Sequence, residues 1–142
     1  HASILPTLVP EDIDQWCPGY PDASTTEREA FWVGLMSALA QHESTWRPHL
    51  VGGDGRWFGL VQISPATARF YGCEARSADA LLDGAANVRC AMRIWASTVA
   101  RDNRVSQGNR GVAADWGPMH SSQSHKRDDI REWVQSQAYC TG

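Results

Sequence analysis

The chain has 142 residues, which suits one domain with a single core and a single site. Its 13 Lys and Arg against 16 Asp and Glu give a formal net charge of -3, so attraction to nucleic acid or anionic lipid is not expected. At 42% hydrophobic and 20% charged residues the composition is that of a globular protein, and no apolar run approaches the roughly 18 residues that span a bilayer. We expect a soluble monomer that neither binds nucleic acid nor inserts into a membrane.

The four cysteines favour disulfides over a metal site. Cys17, Cys73, Cys90 and Cys140 include no C-x-x-C pair of the kind that supplies close zinc ligands. Of the three possible pairings we favour Cys73–Cys90, which closes a short loop, with Cys17–Cys140, which joins the two ends; each is expected to stabilise by roughly 2 to 5 kcal/mol. The alternative is four free thiols in a reducing cytosol. Disulfides predict a secreted or periplasmic protein.

The first residue is a histidine. The chain begins at His1 with no Met and no signal peptide, as expected if an export signal has been removed. A terminal amine and imidazole can together bind copper when a second histidine lies near, and His42, His49, His120 and His125 are the available partners. A terminus left by cleavage is the simpler interpretation.

The first predicted helix follows a proline-rich lead-in over residues 1–24, which we expect to be extended or turn-rich and held by Cys17. Thr26-Glu27-Arg28-Glu29 fits a capping box, so we predict a helix over 27–43. Apolar residues recur on this helix at steps of three and four: Trp32, Leu35, Met36 and Leu39. Glu43 lies four residues beyond Leu39 and ends the same apolar stripe.

The remaining pattern is helical too. The glycines of Gly52-Gly53-Asp54-Gly55 predict a loop, and Ser64-Pro65 fits the cap and first position of a short helix. Apolar spacing predicts helices over 84–101 and 126–138, and no strand alternation persists. The prediction is a mainly α protein whose main domain covers residues 25–142.

Glu43 is the first candidate for chemistry. A carboxyl at the end of an apolar helix face, with Trp46 just beyond it, would be partly desolvated, and desolvation raises the pKa of a carboxyl. A glutamate of raised pKa can act as a general acid near neutral pH. The alternative is a solvated residue at a frayed helix end.

Two segments carry a resemblance to a known family. Gln41-His42-Glu43-Ser44, followed by Gly59-Leu60-Val61-Gln62-Ile63-Ser64-Pro65-Ala66-Thr67-Ala68, resembles the soluble lytic transglycosylases and goose-type lysozymes. In that family a helix-terminal Glu-Ser precedes a Gly-Leu-(Met/Val)-Gln-Ile-x-Pro-x-Thr-Ala segment by some fifteen to twenty residues. Asn87-Val88 resembles the family's Asn-Ile step, so the likeness covers roughly residues 27–135.

The resemblance implies a lysozyme-like fold that cleaves peptidoglycan between N-acetylmuramic acid and N-acetylglucosamine, with Glu43 as catalytic acid and base. It implies no metal and no organic cofactor. Gln62 is expected to offer its amide to a sugar or acetamido group, and Gly59 to let the backbone approach the substrate. Ser44 and Ile63 belong to the same predicted binding segments.

The chain departs from the family at two places. The family's Ala-Tyr-Asn-Ala-Gly-Pro motif supplies a Tyr and an Asn, whereas Ala113-Ala114-Asp115-Trp116-Gly117-Pro118 has neither, and Trp116 either lines the cleft or lies in the core. Asp54, eleven residues after Glu43, is the second departure. If it faces the cleft it can hold a water for inverting hydrolysis, which calls for carboxyls roughly 6.5 to 9.5 Å apart; otherwise it is a turn residue.

The seven tryptophans divide into three groups. Trp32 and Trp95 lie on helix stripes and are predicted core residues, while Trp46 and Trp57 flank the predicted cleft as sugar platforms. Trp116 is a third possible platform, and Trp16 and Trp133 have no assigned role.

Three other functions stay open at this point. If Glu43 acts together with Asp54, the chain is a hydrolytic muramidase. A cleft that binds acetamido groups also suits chitin oligosaccharides, so a chitinase is the second alternative. A non-catalytic module that binds glycan or a protein partner is the alternative of another class, because the family's Tyr and Asn are missing.

Overall fold

The computed structural model describes residues 2–141 and is mainly helical, which confirms the predicted class. Its α-helices in that range are α1 (Ile13–Trp16), α2 (Thr25–Ser44), α3 (Pro65–Phe70), α4 (Ala78–Leu81), α5 (Gly84–Asp102), α6 (Ser124–Gln135) and α7 (Ala138–Thr141). Two antiparallel hairpins pair β1 (Val51–Gly52) with β2 (Trp57–Phe58) and β3 (Ser106–Gln107) with β4 (Arg110–Gly111). Short 3-10 helices fill the connections: Ala2–Thr7, Tyr20–Asp22, Val112–Ala114, Gly117–Met119 and Ser121–Gln123.

Helix α2 starts two residues before the predicted helix. Ser24, not Thr26, is the cap: its hydroxyl accepts from Glu27 N at 3.2 Å, and the Glu27 carboxylate accepts from Ser24 N at 2.9 Å. Both Ser24-x-x-Glu27 and Thr26-x-x-Glu29 fit the capping-box pattern, so the sequence alone did not separate them. The predicted box was wrong because Thr25 and Thr26 already lie inside the helix.

The core lies around α2 and α5. Trp32 and Trp95 are buried, as the helix stripes predicted, with their ring centroids 6.2 Å apart. Trp16 is fully buried as well, whereas Trp133 on α6 is 44% exposed. No helix of residues 2–141 combines the length and apolar character needed to cross a bilayer.

Both ends of the chain are fastened to this core. Disulfides join Cys17 to Cys140 and Cys73 to Cys90, the pairs that the sequence favoured. The lead-in packs tightly, because the buried Tyr20 hydroxyl donates to Leu8 O at 2.7 Å and accepts from Trp32 Nε1 at 3.1 Å. Residues 2–24 therefore contribute side chains to the core in addition to forming turns.

Candidate active site

A cavity of about 340 Å³ lies between the C-terminal end of α2, the β1–β2 hairpin and the start of α6. It brings together Glu43 and Gln62, one polar residue from each of the two segments that carry the resemblance. The full lining is Glu43, Trp57, Gln62, Asp115, Trp116, Gly117, Pro118, Gln123 and Lys126.

The end of α2 presents Glu43 to this cavity. The helix stops after Ser44 because Thr45 and Trp46 both adopt left-handed backbone angles (φ 54° and 57°), so Glu43 lies in the last turn. Burial raises the pKa of Glu43 from 4.5 to about 7, and the Lys126 ammonium opposes that rise. A carboxyl with a pKa near 7 can give and take a proton at neutral pH.

This raised pKa predicts a pH-dependent stability. Between about pH 4.5 and 7 the folded chain keeps a proton on Glu43 that the unfolded chain has lost, so wild-type stability falls as the pH rises through this range. Glu43→Gln removes this pH dependence. When the pH rises from 4 to 8, the free energy of unfolding of the variant should increase by up to about 3 kcal/mol relative to that of wild type. Urea unfolding of both proteins at the two pH values measures it. A stability difference that does not change with pH would contradict the raised pKa.

Ser44 is buried behind the site and does not line the cavity. It is 2% exposed, and its hydroxyl lies 2.7 Å from Leu60 O and accepts from Arg47 N. The side chain connects α2 to the Gly59–Ile63 segment, and its predicted contact with substrate stays a prediction.

Gly59 is required by the packing of the interior, whatever its predicted role in letting substrate approach. Its φ is 84°, and an added Cβ would overlap Leu81 O and the Asn87 side chain in the interior. Asn87 is fully buried: its Oδ1 accepts from Val61 N at 3.0 Å, and its Nδ2 donates to Phe58 O and Leu81 O, both at 2.9 Å. Asn87 thus fixes the segment that carries Gln62.

Gln62 reaches the cavity in a strained conformation. Its φ is 53°, and its Nε2 donates to Leu50 O at 3.0 Å and to Gly59 O at 2.8 Å. Both amide hydrogens are used inside the protein, so only the side-chain oxygen is left for a ligand. Ile63, also predicted to bind substrate, is 2% exposed and pairs with Phe58 through backbone hydrogen bonds.

The predicted sugar platforms lie in three different environments. Trp57 lines the cavity, is 44% exposed, and has the Arg56 guanidinium 5.1 Å from its ring centroid. Trp46 is exposed but donates from Nε1 to Ser37 O and does not line the cavity. Trp116 is 4% exposed and donates to Val61 O at 2.8 Å, so it closes one side of the cavity from within the core.

Asp54 lies in the exposed turn of the β1–β2 hairpin with a left-handed φ of 57°, and it is not among the cavity-lining residues.

The second carboxyl on the cavity wall is Asp115, which accepts from the Tyr71 hydroxyl at 2.9 Å. Partial desolvation raises the pKa of Asp115, while burial and the neighbouring Asp115 charge raise the pKa of Tyr71 to about 12, so the phenol stays a donor.

Asp115, Lys126 and Gln123 were missed as site residues because none lies on a helix stripe or in a matched motif. Within residues 2–141 no group of three or more His, Cys, Asp or Glu side chains is arranged to hold a metal ion. His1, the proposed copper ligand, lies outside the described residues.

A helical domain whose central helix ends in a desolvated glutamate, facing a Gly-Leu-Val-Gln-Ile segment across a cleft, is a lysozyme-like glycosidase. The chain belongs to the transglycosylase SLT domain family, whose model matches residues 23–129. It is therefore an enzyme that cleaves glycosidic bonds, and its substrate class is peptidoglycan.

Solved structures of the protein DslA are similar over almost the whole chain. A wild-type form has a TM-score of 0.84, and two mutant forms, in which glutamate 143 or 154 of DslA is replaced by glutamine, have scores of 0.86 and 0.87. In each case the identity is 26%, and the match covers 96% of this chain and 82% of that chain. No curated protein gives a significant match.

Proposed function

We propose that this chain cleaves the β-1,4 bond between N-acetylmuramic acid and N-acetylglucosamine by lytic transglycosylation, with Glu43 as both acid and base. The observation that carries the proposal is the Glu43 carboxyl, held at the end of α2 on the cavity wall with its pKa raised to about 7. The two disulfides and a peptidoglycan substrate support a secreted or periplasmic location.

The proposed reaction needs one carboxyl. Protonated Glu43 gives its proton to the glycosidic oxygen as the bond from that oxygen to the anomeric carbon breaks. The resulting carboxylate then takes the proton of the muramoyl 6-hydroxyl, whose oxygen bonds to the anomeric carbon and closes a 1,6-anhydro ring. No water enters, and Glu43 ends the cycle protonated.

The other wall residues support binding of the sugars. Trp57 offers an aromatic face, and the Gln62 oxygen accepts from an acetamido N–H or a hydroxyl. Asp115 uses Oδ2 for the Tyr71 hydroxyl, which leaves Oδ1 as a further acceptor for a sugar donor group.

Inverting hydrolysis with Asp54 is the second candidate, and one comparison favours it. The substituted glutamates of the two DslA mutants are eleven positions apart, the same separation as Glu43 and Asp54. Asp54 belongs to the hairpin whose Trp57 lines the cavity, so substrate bound along Trp57 would pass near its turn. In this reaction Asp54 activates a water and the product has a reducing end.

Product analysis separates the two reactions. Digestion of cell-wall sacculi followed by mass spectrometry is expected to give 1,6-anhydromuramic ends, and Asp54→Asn is expected to keep the wild-type rate because Asp54 does not line the cavity. Asp14→Asn, an exposed carboxylate on α1, is the matched control.

Reducing ends together with a large rate loss in Asp54→Asn alone would replace transglycosylation by hydrolysis. Release from soluble chitin oligosaccharides but not from sacculi would make chitin the substrate. Binding to sacculi without any release would contradict both reactions and favour the non-catalytic module.

A further inference from the structure

A second groove, of about 540 Å³, shares no lining residue with the cavity of Glu43. It lies along α5, between the first 3-10 helix and the end of α3, and we call it the α5 groove. Its lining is Ile4, Phe70, Tyr71, Arg93, Ala96, Ser97 and Arg101.

Two guanidinium groups lie on one face of this groove. Arg93, Ser97 and Arg101 are spaced four residues apart on α5, so they form a stripe about 12 Å long. Arg101 is paired with the neighbouring Asp102 through Nε and Nη2, both at 2.8 Å. Arg93 donates from Nε to Tyr71 O at 2.8 Å, and within residues 2–141 it has no carboxylate partner.

An exposed aromatic residue stands beside the unpaired charge. Phe70 is 82% exposed, and its ring packs edge-on against Tyr71 with the centroids 5.0 Å apart. Ile4, on the other wall, is 40% exposed. An uncompensated guanidinium between apolar walls, on a chain of net charge -3, suits a ligand that carries both a carboxylate and aliphatic groups.

The groove is connected to the cavity of Glu43 through one residue. Tyr71 lines the groove while its hydroxyl bonds Asp115 on the cavity wall, so one tyrosine side chain bridges the two spaces. In peptidoglycan a short acidic peptide is attached to muramic acid. Three to five extended residues span roughly 10 to 17 Å, which is longer than the single tyrosine side chain that connects the two spaces.

We propose that the α5 groove binds the stem peptide of peptidoglycan, with Arg93 pairing with a peptide carboxylate and Phe70 covering the aliphatic part. The identity of the ligand rests on the proposed function, whereas the binding chemistry of the groove does not. Through this contact the enzyme would cleave peptide-bearing strands at lower substrate concentration than bare glycan.

The variants for the test are Phe70→Ser, which alters an exposed side chain, and Arg93→Gln, which removes the unpaired charge. Val33→Ser and Arg76→Gln change an exposed apolar residue and an exposed arginine outside the groove and serve as matched controls. Circular dichroism and thermal unfolding establish that each variant folds.

Two measurements are made with the whole chain. In an NMR titration with a synthetic stem tetrapeptide, shifts are expected at Tyr71 and Arg93, with binding weakened about tenfold in both groove variants and unchanged in the controls. In the activity assay, both groove variants should raise KM for peptide-bearing glycan strands about tenfold. Their KM and kcat for strands stripped of peptide by an amidase should match wild type.

The proposal is overturned if the tetrapeptide shifts no groove resonance, if inorganic phosphate shifts the same resonances at the same concentration, or if the variants impair both kinds of strand equally. An inactive wild type would defeat the proposed function, while the titration would still decide whether the groove binds acidic peptide. If the wild type is active but the tetrapeptide does not bind to the α5 groove, only the proposal of a stem-peptide site is defeated.

Discussion

Glu43→Gln is expected to lower the rate of peptidoglycan cleavage by about 10² to 10⁴-fold, the usual contribution of a general acid. Glutamine has nearly the same shape, so binding of the strand should be preserved while the proton for the leaving oxygen is lost. Soluble muropeptide release from sacculi, quantified by chromatography, measures the effect.

Glu29→Gln is the matched control, because Glu29 lies exposed on the same helix, away from the cavity. It should retain wild-type activity. If Glu43→Gln also retained it, Glu43 would not be the acid, and Asp115, the other carboxyl on the cavity wall, would become the next candidate.

Asn87→Ala should show the second large effect, a loss of about 3 kcal/mol or more in the free energy of unfolding. The substitution leaves Val61 N, Phe58 O and Leu81 O without their side-chain partner in a buried position. Phe58 O keeps its bond from Ile63 N, so Val61 N and Leu81 O are the groups left unsatisfied. Each such group costs roughly 1 to 3 kcal/mol, the lost packing of the side chain adds to this, and water entering the space would recover part of it.

Activity should fall with stability in this variant, because the released segment carries Gln62 to the cavity wall. Urea unfolding and the sacculus assay at a temperature where the variant is folded give the two quantities. Asn109→Ala, in the exposed turn between β3 and β4, is the control. If Asn87→Ala cost no more than that control, Asn87 would not hold the segment in place.

The helices were predictable because their apolar residues recur at helical spacing, and α2 and α5 match the predicted ranges to within two residues at each end. The start of α2 differed from the prediction, since Ser24 and Thr26 begin equivalent capping patterns. The 3-10 helices of residues 2–24 are held by tertiary contacts such as those of Tyr20, which no local sequence pattern encodes.

The candidate site was predictable as far as the motif pair reached. Glu43 and Gln62 do meet at one cavity, but the side chains of Ser44 and Ile63 are buried and Gly59 packs against Leu81 and Asn87, so these three support the segments that carry Glu43 and Gln62. Asp115 and Lys126 come from segments far along the chain, and only the folded arrangement brings them to Glu43.

The Cys17–Cys140 bond has a mechanical consequence. It holds the two Cα atoms 4.5 Å apart and spans a separation of 123 residues, so tension applied between the chain ends passes through one covalent link. The helices that carry Glu43 and Asn87 lie inside that closed ring and bear almost none of the load. Partners fused or tethered at either end could pull on the domain without opening the cleft.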